Sequence, residues 1–458
     1  YAFTDGTGPA TITYQTQIDN WDTVKYGFQE HSFANDAKVE LDGKSDTSSA
    51  TATVAKKTWI TKTGEVTNAD GSELGVGDDK TLADYITWYI EINPERYAGL
   101  KNVTVEDALN DGLTFVSAQW QKNTAAKGGT AAWTDVGSKI TSKAADDKYT
   151  YASGAETSAH LRLVIITKTN LKDAAGYITE GKTYTNSAKV YWDGNPGGTG
   201  SGNAPGVSVG YTTLNKDGSF AGDWATSHNV NWTLSINLKD IGSSAIGNFK
   251  VYDLLVHGKD KSVLVKPDSV DQTVWDALTP QYGQKYVDGT LSAGTLTATP
   301  TKVYDTNGQH VADLIEISGF AVNTPYTVTF TSKMLDFADL LTSNQKVTVK
   351  NTASLFDSTA KRRDATKDLT KDTELLKKTV LQAVDEANEA SLSGASAIGN
   401  SDNGFNHVTK TAFFRLSVNS AGQNFTDSDL NGKQTITVTD TLPAGWVFDR
   451  TYNTKGYK

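Results

Sequence analysis

The chain has 458 residues, a net charge of -10 at pH 7 and 37% hydrophobic residues, so it is long enough and apolar enough for several packed domains. The acidic balance, with scattered basic residues, argues against nucleic acid as a partner. The absence of cysteine excludes disulfides, zinc–thiolate sites and a cysteine nucleophile. No apolar run is long enough to predict membrane insertion of this fragment. Acidic, thiol-free, Thr-rich β-chains are typical of extracellular proteins.

Strands with strict period-2 alternation and Gly- and Asp/Asn-rich turns follow one another along the chain, which predicts an all-β protein. The first strand, "HSFANDAKVELDG", contains Asn35. Next comes "WITKTGEV", in which Lys62 precedes an expected turn, and then the aromatic strand "YITWYIEIN". The strand "LKNVTVEDALNDGLTF" contains Asp107, and "KTYTNSAKVYWDG" contains Asn186. The order is therefore Lys, Asp, Asn.

The same series then recurs at a spacing of roughly 150 to 165 positions, the size of a domain. "TLNKDGSF" supplies Lys216, "IGNFKVYDLLVHG" supplies Asp253 and "KVTVKNTASLFD" supplies Asn351, with the aromatic strand "NVNWTLSIN" after the lysine. A repeated, strictly alternating pattern favours tandem immunoglobulin-like β-sandwiches in an elongated array over a helical solenoid.

The repeats are out of phase with the ends of the sequence. We predict the C-terminal part of a repeat in 1–53, complete repeats in 54–210 and 211–372, and the N-terminal part of a repeat in 373–458. This phase is explained by fragmentation of a longer array or, alternatively, by halves that complement each other between neighbouring molecules.

The last repeat departs from the pattern. It contains Asp440, but alignment of "KKT" places Ala383 at the lysine position. Lys378 shares a strand face with Leu376 and Val380 and could substitute for the missing lysine. The following "AVDEANEASL" is predicted to be helical. The partners of Asn35 would precede residue 1.

Two polar segments are predicted to be loops. "DGNPGGTGSGNAPG" resembles a linker, but it occupies the place of a shorter segment in the preceding repeat and is predicted to be a hairpin loop. "DSTAKRRDATKDLTKD" is predicted to be a longer, solvated loop.

Lys, Asp and Asn together are the parts for one reaction, although each alone is common in β-sandwiches for purely structural reasons. A lysine amine can attack the side-chain amide carbon of asparagine, expel ammonia and leave an isopeptide bond. Burial favours a neutral amine and a protonated carboxyl group, which polarises the amide and shuttles the proton. Alternation places Lys62 on the face of Ile60, and Lys216 on the face of Leu214, so both lysines can point into a core.

These motifs resemble the CnaA-type, collagen-adhesin-like immunoglobulin-fold domains of Gram-positive surface adhesins and pilins. The resemblance covers nearly the whole chain and rests on "KTGEV…YITWYIEINPERYAGLKNVTVEDAL…YTNSAKVYW" and its recurrence. It implies that lysine and asparagine are joined and that the aspartate promotes the bond. The implied triads are Lys62, Asp107 and Asn186 in one domain and Lys216, Asp253 and Asn351 in the next.

Other candidate sites are weaker. "DSDLNGKQ" matches the start of a calcium loop (Asp427, Asp429, Asn431, Gly432), but Val438 stands where a Glu is needed. The loop with Asp70, Asp78 and Asp79 is expected to be solvated. Tryptophans near strand ends (Trp120, Trp133, Trp192, Trp224, Trp275) could bind carbohydrate or lie in the core. The six histidines are scattered singly, so neither a metal site nor a cofactor is predicted.

The sequence therefore predicts a non-enzymatic, extracellular, cell-wall-attached surface protein whose anchor and signal lie outside this fragment. Its domains would form a self-cross-linked stalk that presents or forms a surface for a host matrix protein or glycan. The alternative is a structural pilin shaft or surface-layer subunit without its own ligand site.

Overall fold

The computed structural model describes residues 11–20, 24–97, 99–335, 345–382, 396–398, 404–424 and 436–448. Strands dominate, and the longest helix in these ranges has six residues, Gln272–Ala277. The predicted all-β class of tandem sandwiches is confirmed. The expected helix "AVDEANEASL" lies outside the described ranges. Among the described helices, none is long and apolar enough to cross a membrane.

The chain divides into two compact units, residues 1–211 and 212–458. The strands of the first unit are β1 His31–Leu41, β2 Lys44–Val54, β3 Ile60–Thr67, β4 Tyr85–Ile92, β5 Val103–Glu106, β6 Leu113–Asn123, β7 Trp133–Ile140, β8 Lys148–Tyr151, β9 Leu161–Thr169, β10 Lys182–Tyr184, β11 Ser187–Trp192, β12 Asn195–Asn203 and β13 Val207–Val209. A 3-10 turn covers Lys80–Leu82.

The sandwich of the first unit consists of a five-stranded sheet, β3-β4-β9-β6-β7, and a four-stranded sheet, β12-β11-β5-β8. Strand β4 shows why the sequence folds this way: Ile86, Trp88, Ile90 and Ile92 alternate onto one fully buried face. Each such side chain contributes about 1.5–3 kcal/mol through burial. The apolar face of β4 therefore anchors the core against which the second sheet packs. Strands β10 and β13 form a separate pair, as do β1 and β2.

The glycine-rich segment after Asp193 is a strand, which corrects the predicted loop. Only the two-residue Asp193–Gly194 link is a turn, and β12 then pairs with β11. A β-carbon at Gly198 would lie 2.6 Å from the Tyr191 ring, and one at Gly202 would lie 3.2 Å from the Lys62 Cβ. Glycine therefore lets this strand lie directly over its neighbours.

The strands of the second unit are β14 Leu214–Phe220, β15 Asn229–Asn237, β16 Phe249–Val256, β17 Pro280–Tyr282, β18 Gln284–Tyr286, β19 Thr297–Tyr304, β20 His310–Ser318, β21 Pro325–Met334, β22 Lys346–Asp357, β23 Ala360–Asp372, β24 Leu376–Leu381, β25 Ala397–Ile398, β26 Phe405–Asn406, β27 Thr411–Ala412 and β28 Phe414–Val418. Helices Trp224–Ser227 and Gln272–Ala277 and the 3-10 turn Ile246–Asn248 connect them.

The second sandwich pairs a four-stranded sheet, β14-β15-β21-β18, with a sheet ordered β19-β20-β16-β22-β23, to which β17 adds beside β16. The charged segment after Asp357 is strand β23, paired with β22 along its length, and not the predicted solvated loop. Its alternating charged residues lie on an edge strand, where charge discourages pairing with other chains. Strands β24, β25 and β28 form a further small sheet.

Candidate functional site

Lys62 extends from the edge strand β3 into the core of the first sandwich. It lies opposite Ile90 of β4, is 4% exposed, and places its Nζ 5.6 Å from the centre of the Trp88 ring. Gly64, two residues later, lies opposite Trp88, and a β-carbon there would be 2.5 Å from the indole. Glycine is therefore required so that the indole can lie flat beside the lysine.

Lys216 repeats this arrangement in the second sandwich. It lies opposite Leu234, with its Nζ 5.3 Å from the Trp232 ring centre and 4.9 Å from that of Phe330. Gly218 lies opposite Trp232 and would clash with it through a β-carbon at 2.5 Å. In both repeats the strand continues past the glycine, so the turn predicted after each lysine is wrong. The Lys-x-Gly pattern instead makes room for tryptophan.

The two aspartates lie on the opposite sheet of each sandwich. Asp107 directly follows β5 and Asp253 lies within β16, and both are 0% exposed. In each sandwich the lysine Nζ donates a hydrogen bond to the aspartate Oδ2, and both side chains of each pair are fully buried. Each Lys–Asp pair therefore connects the two sheets through the core.

The asparagines lie beside the aspartates on the neighbouring strand. Asp253 is opposite Ala353 of β22, and Asn351 is two residues earlier on the same face. In the first sandwich Lys189 is opposite Glu106, and continuing this antiparallel register by one residue places Asp107 opposite Ala188. Ala188 is likewise two residues after Asn186. The two sites thus have the same strand geometry.

An Asn-x-Ala pattern accompanies this register, and sequence analysis missed it. An alanine stands two residues after each of the three asparagines: Ala37 after Asn35, Ala188 after Asn186 and Ala353 after Asn351. The alanine lies across from the aspartate in the complete repeats, where a larger side chain on that inner face would compete for the same space.

The amides of Asn186 and Asn351 are buried beside the aspartates, close enough to lower the pKa of each carboxyl group, but they make no hydrogen bond of ordinary length and angle. They are 2% and 0% exposed, and within the described part of the chain neither their Oδ1 nor their Nδ2 atoms have a partner. The Oδ1 atoms of Asp107 and Asp253 are also without partners there. Leaving such groups unpaired costs about 1–3 kcal/mol each, so packing alone does not account for these polar side chains.

Burial shifts the pKa values of each Lys–Asp pair towards the neutral forms. Desolvation lowers the pKa of Lys62 to about 8, although Asp107 acts to raise it. Desolvation raises the pKa of Asp107, against the lowering effects of Lys62 and the adjacent Asn186 amide. The same causes lower the pKa of Lys216 and raise that of Asp253, beside Asn351. Burial therefore favours the unprotonated amine and the protonated carboxyl group next to an amide.

The remaining predicted residues lie towards the two ends of the sequence. Lys378 lies opposite Leu416 in β28, and Val380 lies opposite Phe414, the register that Lys62 and Gly64 have with β4. Its Nζ lies 2.6 Å from the Asp440 Oδ1, but the two side chains are 40% and 34% exposed. The structure thus places Lys378 at the lysine position of this repeat. Asn35 is exposed on the β1–β2 hairpin and donates to the Tyr14 hydroxyl.

The acidic loops do not gather into a cation site among the described residues. Each carboxylate of the Asp70 loop accepts hydrogen bonds from its own turn: Asp70 from Ser72, Asp78 from Gly75 N and Asp79 from Thr81. The calcium-loop residues Asp427, Asp429, Asn431 and Gly432 lie outside the described residues, and the Val438 side chain is exposed.

Four of the five tryptophans singled out in the sequence are core residues: Trp120, Trp192, Trp224 and Trp275. Of the two alternatives for these positions, a carbohydrate surface or the core, their burial supports the core. The fifth, Trp133, packs against Arg162 and His160.

Two histidines that appear isolated in the sequence are neighbours in the second sandwich. His257 and His310 have ring centres 4.7 Å apart and both contact Asp313. No local motif signals this cluster, because it is formed by the pairing of β16 with β20.

No family model and no curated protein match this chain. Among solved structures it is similar to the C-terminal domain of the Streptococcus agalactiae AgI/II polypeptide BspA, with 11% identity, 68% of this chain and 99% of that chain covered, and a TM-score of 0.22. It is also similar to the Corynebacterium diphtheriae major pilin SpaA, described as pointing to a modular pilus assembly with stabilising isopeptide bonds, at 11% identity, 62% and 75% coverage and a TM-score of 0.21. The collagen-binding domain of the Erysipelothrix rhusiopathiae surface protein RspB has 13% identity, 69% and 97% coverage and a TM-score of 0.16.

These neighbours are Gram-positive adhesin and pilin domains, the group that the sequence resembles. Their TM-scores and identities are low, so the function proposed below is based on the geometry of the two triads.

Proposed function

We propose that each complete repeat, 54–210 and 211–372, closes its own Lys–Asn isopeptide bond and that the cross-linked sandwiches form a force-bearing segment of an extracellular surface protein. The bonds would join Lys62 to Asn186 and Lys216 to Asn351. Each bond would connect the two sheets of its sandwich, because the lysine and the asparagine come from opposite sheets.

The reaction has a complete balance of atoms. The lone pair of the neutral Lys62 Nζ attacks Cγ of Asn186, and protonated Asp107 donates its proton towards the amide as the tetrahedral intermediate forms. The amine proton passes through the carboxylate to the departing nitrogen, which leaves as ammonia. As the carbonyl re-forms, the proton first given to the amide oxygen returns to Asp107, and the C–N isopeptide bond remains. Asp107 ends in its starting state, so the reaction occurs once per domain and acts on no external substrate.

The observation that carries this proposal is the buried asparagine amide, which makes no hydrogen bond of ordinary length and angle and lies beside a buried Lys–Asp pair, in the same register in two repeats. A purely structural site would satisfy the amide. An acyl donor, in contrast, must leave its carbonyl free for the acid and its carbon open to the amine.

A stalk of this kind suits a surface adhesin or pilin, and cell-wall attachment and binding of a host matrix protein or glycan remain predictions from the family resemblance. The burial of Trp120, Trp192, Trp224 and Trp275 gives the glycan no tryptophan surface at these positions. This favours a load-bearing shaft over a carbohydrate-binding face.

The test is the intact mass of the chain under denaturing conditions. We expect a deficit of two ammonia molecules, one for each complete repeat. Asp107→Ala and Asp253→Ala should each restore one ammonia, and Asp440→Ala is the matched control that should restore none. Peptide mapping should then find Lys62 joined to Asn186. A mass equal to that of the bare sequence would overturn the proposal.

A further inference from the structure

His257, His310 and Asp313 form a compact cluster at one end of the second sandwich. His257 directly follows β16, and its backbone N–H bonds to Val311 O of β20, which also carries the other two residues. The ligand atoms of the three side chains all lie within 4.8 Å of one another. Two imidazoles and one carboxylate therefore converge from adjacent strands.

Asp313 is the centre of this cluster. Its side chain is 6% exposed; Oδ1 lies 2.8 Å from His310 Nε2, and Oδ2 lies 2.9 Å from His257 Nε2. Oδ2 also accepts the backbone N–H of Tyr286 at 3.0 Å. Because Tyr286 belongs to β18 of the opposite sheet, the carboxylate is fixed in orientation between the two sheets, in the manner of a supported metal ligand.

We propose that His257, His310 and Asp313 bind one Zn²⁺-like divalent transition-metal ion, with both Nε2 atoms, one carboxylate oxygen and a water molecule as ligands. Zinc commonly takes three protein ligands of this kind and leaves a fourth position open. The ion takes the place of the protons that now join the imidazoles to the carboxylate, and these protons move to Nδ1 or to solvent.

The exchange requires one imidazole to move. Ligand atoms around tetrahedral zinc are about 3.3 Å apart, as bond lengths near 2.0–2.1 Å require. The contacts of 2.8 and 2.9 Å join the two imidazoles to different carboxylate oxygens, and all the ligand atoms lie within 4.8 Å of one another. Coordination through one oxygen therefore brings the second imidazole closer by about 1.5 Å at most and widens the retained nitrogen–oxygen contact by a few tenths of an ångström. The histidine side chains are 16% and 25% exposed, so a hydrated ion and the water ligand can reach the cluster from solvent.

The site is distinct from the proposed cross-link and lies on the same inner face of the sheet. His257 is four residues beyond Asp253, about 13 Å along an extended strand. The corresponding position in the first repeat, four residues after Asp107, is Asp111. The second repeat therefore has a reversible metal site at one end in addition to its covalent bond. The first repeat lacks this pair of histidines.

The experiment titrates the metal-free full chain with Zn²⁺ alone, measured by calorimetry, and compares it with His257→Ala, His310→Ala and Asp313→Asn. We expect one ion per chain and at least about a tenfold loss of affinity in each variant. His160→Ala is the matched control, because His160 Nε2 lies 2.9 Å from the Glu91 carboxylate without a second histidine at that carboxylate. It should bind as the wild type does.

The coordination geometry of the ion is tested by replacing Zn²⁺ with Co²⁺, whose visible absorption is intense when its coordination is tetrahedral. Circular dichroism and an unchanged ammonia deficit show that each variant still folds, and His310→Ala, at the more exposed position, is the safest variant. The proposal is overturned if the wild-type chain binds no Zn²⁺, if the variants bind as well as the wild type, if Ca²⁺ binds equally well, or if the Co²⁺ spectrum is octahedral.

Discussion

The two complete triads and the Lys378–Asp440 pair contain the same lysine–aspartate combination in different surroundings. Lys62–Asp107 and Lys216–Asp253 are fully buried between two sheets, whereas the side chains of Lys378 and Asp440 are 40% and 34% exposed. The strand register of the lysine is the same in all three. The difference therefore lies in how far each pair is enclosed, and not in the pair itself.

Burial generates the chemistry of the two enclosed triads. In water a lysine amine is protonated and an aspartate is ionised at neutral pH, so neither nucleophile nor acid is available. The second sheet and the tryptophan beside the lysine remove water and shift both groups of a complete triad towards neutrality. The bond should then form after the sandwich closes, and each cross-link would report a correctly folded domain.

The largest expected difference is mechanical. A bond between Lys62 and Asn186 shields the roughly 120 residues between them from extension, and Asn186→Ala should release about 40 nm of contour length at ~3.5 Å per residue. Single-molecule stretching of the full chain measures this increment. Asn35→Ala, on the exposed hairpin, should change nothing. A wild-type chain that already shows the full increment would contradict a load-bearing bond in this repeat.

The next largest effect is on folding stability. Asp253→Ala should prevent the bond and leave Lys216 buried without its partner. In the chain-entropy model a link across roughly 135 residues contributes about 5 kcal/mol, and an unpaired buried polar group costs about 1–3 kcal/mol. Denaturant unfolding of the second unit should show this loss.

A double variant separates these two contributions. Lys216→Met combined with Asp253→Leu removes the bond and both buried polar groups, so it should lose only the cross-link contribution. Asp440→Ala should leave the unfolding midpoint of the second complete repeat unchanged. Equal losses in the single and double variants would show that the unpaired lysine amine has no effect on stability.

A smaller effect is the pH dependence of folding stability, whose sign follows from the pKa shift of Lys62. In Asn186→Ala the amine of Lys62 stays free, with a pKa of about 8 when folded and 10.5 when unfolded. Between these values the unfolded chain binds more protons, so the first complete repeat should become more stable as pH rises from 8 to 10.5. The slope should approach about 1.4 kcal/mol for each pH unit within that window.

Urea unfolding of this variant at several pH values measures the slope. Adding Lys62→Met should flatten it, and the cross-linked wild type should also lack it because its Lys62 nitrogen is an amide. A fall in stability over this range would mean that the amine is charged in the folded state and would remove the basis for nucleophilic attack.

Strand periodicity predicted that Lys62 and Lys216 face the core, because alternation decides which residues share a face. The triads themselves were implied by the recurring order of Lys, Asp and Asn and by the family resemblance. Periodicity could not show that Gly64 makes room for Trp88, so the Lys-x-Gly pattern was interpreted as a turn. That contact depends on which residues lie opposite each other on neighbouring strands. Register is set by the whole sandwich and is not written in any one strand.

The same reason accounts for the histidine cluster and the misassigned segments. His257 and His310 become neighbours only when β16 pairs with β20. The glycine-rich β12 and the charged β23 have the composition of loops, but each follows a tight turn and pairs with the strand before it. Tertiary pairing there overrides local preference.

The smallest predicted effect concerns the exposed pair itself. Lys378→Ala should cost less than about 1 kcal/mol, because solvent screens a surface ion pair and the long lysine loses entropy in making it. Raising the salt concentration to about 1 M, where the screening length is near 3 Å, should abolish even that cost. Thermal unfolding of the full chain at low and high salt measures it, with Lys62→Ala as the buried counterpart expected to lose several times more. If Lys378→Ala instead cost as much as Lys62→Ala and ignored salt, the Lys378–Asp440 pair would itself be enclosed in solution, and exposure could no longer be what distinguishes it from the reactive triads.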